Sequence, residues 1–143
     1  TRYDDELEGE IVDEAMREIG LRPAFGVLIY PVTTMVGSAA HRDSRRKLFG
    51  ESPSEEELIA ASPERRLTKE SPPMFLVHTE FDPVDSLGTL ELAIAAKRAK
   101  VGCELHLYPM GDHGYGMGRK GETELTNPVN AWPELLVKFL KRQ

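Results

Sequence analysis

The sequence predicts an α/β domain of three layers, α/β/α, in which helices cover both faces of a small, mostly parallel sheet. Helical and strand-like segments alternate along the chain, and two strand-like segments, residues 24–30 and 74–78, are almost continuously apolar. Unbroken apolar runs are typical of strands buried on both faces, as in parallel sheets covered by helices. At 143 residues the chain has the length of one such domain.

Three strands are predicted. The first, at residues 24–30, is closed by Pro31. The second, at residues 74–78, is entered through Pro72, and a proline favours extended backbone in the residue before it. The third covers Glu104–Tyr108. Because helical patterns separate the strands, right-handed crossovers would make them parallel neighbours.

The helices are predicted from apolar spacing and from capping residues. They are placed at residues 7–19, 54–60, 84–100 and 131–140. Ser54 and Glu57 have the spacing of a capping box. Residues 33–50 are polar and without apolar periodicity, so they are predicted to be an irregular loop of the kind that often forms a lid or a binding loop.

Charge is distributed unevenly along the chain. The net charge is −6, and residues 1–20 carry eight acidic against two basic side chains, whereas the rest of the chain is balanced. Residues 1–20 are therefore predicted to be an acidic lead-in helix, ahead of one domain at residues 21–143. Because residues 21–143 have no net charge and no basic face, nucleic acid is excluded as the expected partner. No apolar run approaches the roughly 20 residues of a membrane helix, and the chain start favours neither cytoplasm nor export.

No signal for a cofactor or metal is present. The sequence lacks a GxxxxGK[ST] loop, a GxGxxG fingerprint, HExxH and CxxC. The single cysteine, Cys103, excludes an internal disulfide and is expected to be a structural thiol at a strand start. We therefore predict neither a cofactor nor a metal site.

A histidine and an aspartate follow successive predicted strands. His113 lies in the segment Gly111–Gly116, and Asp82 follows the apolar strand at residues 74–78. The carboxyl ends of parallel strands share one edge of the sheet, where sites are built in α/β folds. Acid followed by histidine is the chain order of the last two triad members in α/β-hydrolases. Asp82 and His113 are therefore predicted to be catalytic.

These residues resemble the carboxyl half of an α/β-hydrolase of the acetyl-xylan esterase-like, or endo-xylanase-like, bacterial esterase group. The matching motifs are Val27–Val32, His41–Ser44 with Leu48–Gly50, Ser62–Glu64, Pro72–His78, Asp82–Val84 and His113–Gly116. The resemblance implies a partial α/β-hydrolase fold over residues 21–143. It also implies that Asp82 orients the imidazole, that His113 is the general base and acid, and that the substrate is an acyl ester of a carbohydrate.

The nucleophile of that group is absent from the 143 residues. No Gly-x-Ser-x-Gly elbow and no HGGG-type turn occur, and Ser38 lacks both the second glycine and the strand-to-helix setting of an elbow. Without a serine and oxyanion donors, this chain alone is expected to have negligible esterase activity. Pairing with a missing amino-terminal half, or with a second copy, is expected along the exposed edge of strand Phe25–Tyr30.

Each candidate residue has a structural alternative. Asp82 could instead cap the following helix, and Asp85 is a rival acid. Tyr115 and Met117 could line the substrate pocket or simply pack. Further residues are expected to be structural or at the surface, namely His78 and His106 within strands, His41 with the basic cluster Arg42–Lys47, and Asp112.

Three functional classes remain open. The first is the carbohydrate or general carboxyl-ester hydrolase just described. The second is a non-catalytic α/β module that binds a partner on the same scaffold. The third is a flavodoxin-like or receiver-like domain, in which Asp82 would accept a phosphoryl group.

Overall fold

Three parallel strands form the centre of the molecule. The structure, a computed structural model, describes residues 22–118, 121–123 and 126–143. The strands are β1 (Gly26–Ile29), β2 (Met74–Thr79) and β3 (Cys103–Tyr108), in the order β1-β2-β3. The register places Leu28 beside Leu76, and Leu76 beside Leu105. All three predicted strands are therefore present, and the parallel sheet is confirmed.

Four α-helices lie among the described residues. They are α1 (Arg42–Phe49), α2 (Glu55–Ala60), α3 (Ser86–Ala99) and α4 (Trp132–Leu140). Short 3-10 turns at Pro63–Arg65 and Pro128–Ala131 connect them to the rest of the fold. In none of the three described ranges does a helix combine the length and hydropathy needed to cross a membrane.

Alternate side chains of β2 enter two separate apolar clusters. Phe75 and Val77 pack with Trp132 and Phe139 of α4 on one face of the sheet. Met74 and Leu76 pack on the other face with α3, which contributes Leu92, among others. A strand whose side chains alternate between two covered faces is buried along its whole length, as the apolar run predicts. The three-layer α/β/α architecture is thus confirmed.

The helix α1 corrects the prediction of an irregular loop at residues 33–50. Ser44 donates its backbone N–H to the His41 imidazole, which caps the helix, and Gly50 ends it at a φ of 76°. No residue of α1 is buried, so the sequence contains no apolar stripe that would predict this helix. Histidine is also not among the favoured N-cap residues. Only the part of the loop ahead of His41 is irregular.

β1 is the end strand of the described sheet. Phe25 and Val27 are each 37% exposed. Pairing of a second copy or of an amino-terminal half along this strand remains a prediction. The predicted helix at residues 7–19, and with it the lead-in at residues 1–20, lies outside the described residues.

Candidate functional site

The carboxyl edge of the sheet brings Asp82 and His113 into direct contact. Asp82 follows β2 and His113 follows β3, the neighbouring strand. The Nδ1 atom of His113 lies 2.9 Å from Oδ1 and 3.0 Å from Oδ2 of Asp82. The Asp82 side chain is fully buried, whereas that of His113 is 44% exposed. The pair therefore has a buried carboxylate behind an imidazole that reaches solvent.

Two glycines shape the loop that carries His113. Gly111 has a φ of 120°, and a Cβ there would lie 2.7 Å from Cγ2 of Thr79. Gly114, directly after the histidine, has a φ of 73°. Both values lie where side chains other than hydrogen are strained. The indole of Trp132 donates to the Gly116 carbonyl at 3.1 Å, which ties the far end of the loop to α4.

Asp82 also holds the turn in which it lies. Its Oδ1 accepts the backbone N–H of Val84 at 2.7 Å, a local bond of the Asx type. The N-cap of α3 is Asp85, whose Oδ1 accepts the N–H of Leu87 at 2.8 Å. The capping role considered for Asp82 thus belongs to Asp85. Of these two carboxylates, it is Asp82 whose contact with His113 the structure establishes.

A second histidine lies behind the acid. His78 is completely buried, and its Nε2 lies 2.9 Å from the Val84 carbonyl and 3.6 Å from Oδ2 of Asp82. A carbonyl only accepts, so Nε2 carries the proton, and Nδ1 accepts from the Thr89 hydroxyl at 2.7 Å. This side chain is the satisfied core histidine that the sequence suggests, but its bonds also fix the turn that follows Asp82.

Burial lowers the pKa of His78, and the nearby Asp82 carboxylate opposes this only in part. As pH falls below about 6.5, the unfolded chain takes up a proton that folded His78 resists. The stabilisation is therefore fully present above that pH and is lost as the pH falls towards the lower folded pKa. We expect the wild type to lose more stability between pH 7.5 and 5.5 in urea unfolding than His78→Gln, which cannot titrate there. Equal losses in the two proteins would contradict this.

The remaining candidates occupy different environments. Tyr115 is 5% exposed and packs in the cluster beneath α4, and burial raises the pKa of its hydroxyl. Met117 is 72% exposed. His106 is partly exposed, and its Nε2 lies 2.9 Å from Oε1 of Glu104. Cys103 is half-buried, and burial raises the pKa of its thiol. Tyr115 is therefore a core residue and Met117 a surface residue, and a role of either in a substrate pocket stays a prediction.

Tyr30 is a site residue that the sequence did not indicate. Its ring centroid lies 4.7 Å from that of His113 and 4.8 Å from that of Tyr115. Its φ of 43° is unusual for a residue other than glycine. Sequence reasoning placed Tyr30 only at the end of a strand, and nothing in the local pattern signals a left-handed backbone before Pro31.

The arrangement is suited to proton transfer. With the Nδ1 proton held by a buried carboxylate, the neutral ring of His113 keeps its lone pair on Nε2, which is the basic atom of a histidine general base. Within the described ranges, no three His, Cys, Asp or Glu side chains lie close enough together to bind a metal ion. A phosphoryl acceptor would need an accessible carboxylate, whereas that of Asp82 is buried under His113. The geometry therefore favours the acid–base pair over the phospho-acceptor alternative.

An apolar hollow of about 310 Å³ lies at the opposite edge of the sheet. Gly26 and Met74, the first residues of β1 and β2, line it together with Leu92. Its one cationic lining residue, Arg66, donates to the Ala60 carbonyl at 2.7 Å. Sites in α/β folds lie at the carboxyl edge, so this hollow is not part of the candidate site.

The chain is similar in sequence to two known enzymes of xylan breakdown. The chain is 37% identical over 98 residues, or 68% of its length, to endo-1,4-beta-xylanase B of Butyrivibrio fibrisolvens. It is 29% identical over 129 residues, or 85% of its length, to an acetylxylan esterase of Xylanibacter ruminicola. The chain spans only 15% and 27% of these two relatives. No family model matches it.

A solved structure with the same architecture is the acetyl ester-xyloside bifunctional hydrolase of Caldicellulosiruptor lactoaceticus. It aligns with a TM-score of 0.80 and 32% identity over 92% of this chain and 47% of that one. The described part of the chain is thus a partial α/β-hydrolase fold. Within that class it fits the acetyl-xylan esterase-like group, which confirms the resemblance drawn from the motifs.

Proposed function

We propose that this chain supplies the acid and the histidine of a serine-type carboxylic-ester hydrolase that removes acetyl or other acyl groups from a carbohydrate. The observation that supports this most directly is the contact of His113 Nδ1 with the buried Asp82 carboxylate, at 2.9 Å. The carbohydrate ester is suggested by the relatives named acetylxylan esterase and acetyl ester-xyloside hydrolase.

In the proposed reaction, His113 moves a proton twice. A serine hydroxyl attacks the ester carbonyl while Nε2 of His113 takes the hydroxyl proton, and Asp82 stabilises the imidazolium that forms. The proton then passes to the leaving sugar oxygen as the carbon–oxygen bond breaks, which leaves an acyl-serine. Water repeats the sequence, releases the carboxylic acid and restores the serine. Met117, which lies four residues after His113 and is 72% exposed, is proposed to contact the bound ester.

The serine and the oxyanion donors are proposed to come from a second segment of polypeptide. No Gly-x-Ser-x-Gly occurs in the 143 residues. Residues 21–143 would then act as the carboxyl-terminal half of the hydrolase domain, and β1 is the strand along which the other half would pair. This chain by itself is expected to have no p-nitrophenyl acetate turnover above that of His113→Ala.

A chimera provides the direct test. Residues 22–143 replace the matching part of the Caldicellulosiruptor lactoaceticus hydrolase, whose remaining part is retained. We expect the folded chimera to release acetate from acetylated xylan and p-nitrophenol from p-nitrophenyl acetate, and we expect His113→Ala to abolish both.

Two outcomes would contradict the proposed function. One is a folded chimera that cleaves neither ester. The other is a chimera whose cleavage is unchanged by His113→Ala. A folded, inactive chimera that still binds xylan would favour the non-catalytic binding module.

A further inference from the structure

The backbone of Tyr30 adopts a strained conformation, and the end of a helix does not explain it. Among the described residues other than glycine, only Tyr30 and Lys100 have a positive φ, of 43° and 61°. Lys100 ends α3, where a left-handed residue is usual. Tyr30 instead follows a strand, where such a conformation costs on the order of 1–3 kcal/mol and tends to occur at functional sites.

Neighbouring contacts hold Tyr30 in this conformation. Its backbone N–H donates to the Val77 carbonyl at 2.7 Å, so the chain is still attached to β2 at this residue. Pro31 follows directly, and its pyrrolidine ring fixes its own φ, so the chain that leaves Tyr30 has less freedom to turn. The Tyr30 ring is nearly perpendicular to that of Tyr115, with an interplanar angle of 87°. Tyr115 is itself packed in the core, so the Tyr30 ring has a fixed support.

The other neighbour of the Tyr30 ring is the imidazole of His113. The two rings lie edge to face, with centroids 4.7 Å apart and an interplanar angle of 60°. Aromatic pairs prefer this geometry over a face-to-face sandwich. Asp82 fixes a single atom of the imidazole, Nδ1. One anchored atom leaves the ring plane free to swing, particularly because the His113 side chain is 44% exposed.

We propose that Tyr30 is a positioning residue for His113. Its ring fixes the plane of the imidazole, so that the Nδ1–H stays directed at the Asp82 carboxylate and the Nε2 lone pair keeps one direction. The strained backbone is what brings the ring to this place. The part of this inference that concerns catalysis rests on the proposed function, whereas the part that concerns ring geometry applies to the chain as it stands.

The first test observes the His113 ring in the chain itself. A hydrogen bond from Nδ1–H to a buried carboxylate gives a slowly exchanging, downfield proton resonance in NMR spectra of ¹⁵N-histidine-labelled protein. We expect Tyr30→Phe, which keeps the ring, to preserve this resonance, and Tyr30→Leu to broaden or abolish it. Tyr30→Asn provides a second ring deletion that tolerates the left-handed backbone, should leucine prevent folding.

The matched control is Phe25→Leu. Phe25 lies just before the same strand, and its ring contacts Phe139 at a centroid distance of 6.4 Å. This variant removes an aromatic ring of similar size from the other end of β1, so the His113 resonance should be unchanged. Retention of the resonance in both ring deletions, or its loss in Phe25→Leu as well, would overturn the proposal.

The second test uses the chimera. Tyr30→Leu is expected to lower kcat by about 10²-fold, the cost typical of a misplaced catalytic group, with little change in KM. Tyr30→Phe, which keeps the ring, should have the same kcat as the unsubstituted chimera. An unchanged kcat in Tyr30→Leu would overturn the catalytic part. If every chimera is inactive while the resonance responds as expected, the proposed function fails and the positioning of the ring stands.

Discussion

Replacing Asp82 with asparagine is expected to lower kcat of the chimera by about 10⁴-fold without unfolding it. Asparagine still offers an oxygen to the Val84 N–H, so the turn that Asp82 holds at 2.7 Å can persist. An amide cannot stabilise an imidazolium as a carboxylate does, and its NH₂ group favours the tautomer of His113 with the proton on Nε2. The imidazole then has no lone pair at the atom that must accept the serine proton. The measurement is kcat for p-nitrophenyl acetate at saturating substrate.

Asp85→Asn is the control for this change. The Asp85 carboxylate accepts the Leu87 N–H at the start of α3, and asparagine caps helices about as well as aspartate. The same chemical change three residues away should therefore leave kcat within about twofold, since no proton-transfer step is proposed for Asp85. If Asp85→Asn is the damaging variant and Asp82→Asn is not, the acid has been wrongly assigned.

Phe75→Ala is expected to destabilise the chain by about 3–5 kcal/mol, the usual cost of deleting a buried phenyl ring. Phe75 is completely buried in the middle strand, and its ring lies 5.5 Å from that of Phe139 and 5.1 Å from that of His106. β2 is hydrogen-bonded to a strand on each side and packs beneath α4, so the surroundings can close the cavity only in part. Urea unfolding followed by the fluorescence of Trp132, which packs in the same cluster, measures the change.

The control for the phenylalanine deletion is Phe25→Ala. Phe25 also contacts Phe139, but it is 37% exposed, so we expect a loss of no more than about 1 kcal/mol. A comparable loss in the two variants would mean that the cluster beneath α4 contributes no more to stability than the surface of β1.

Apolar patterns and capping residues predicted the sheet and most of the helices. β2 alternates between two covered faces, so all six of its residues are buried, and this produces an apolar run that is easily recognised in the sequence. The capping box of Ser54 and Glu57 forms as predicted. The order of strand ends also indicated where Asp82 and His113 would meet, because parallel strands deliver their carboxyl ends to one edge.

Other features depend on tertiary contacts that leave no local signal. The helix α1 buries none of its residues and is capped by a histidine, so neither apolar spacing nor a favoured cap revealed it. The N-cap is Asp85 rather than Asp82 because α3 begins at Ser86, two residues later than the predicted start at residue 84. The positive φ of Tyr30 occurs beside its bond to Val77 and its contacts with two neighbouring rings, and no residue-level preference of tyrosine predicts it.

The two tasks of one oxygen atom restrict which acid this turn can contain. Oδ1 of Asp82 accepts a hydrogen bond from the Val84 N–H at 2.7 Å and another from Nδ1 of His113 at 2.9 Å. Glutamate carries the same charge, but its extra methylene would move the oxygen beyond the amide two residues along or crowd the imidazole. The replacement of Asp82 by glutamate, although usually called conservative, would therefore break either the bond to Val84 or the contact with His113. In this turn the length of the acid side chain therefore matters as well as its charge, because one oxygen makes both contacts.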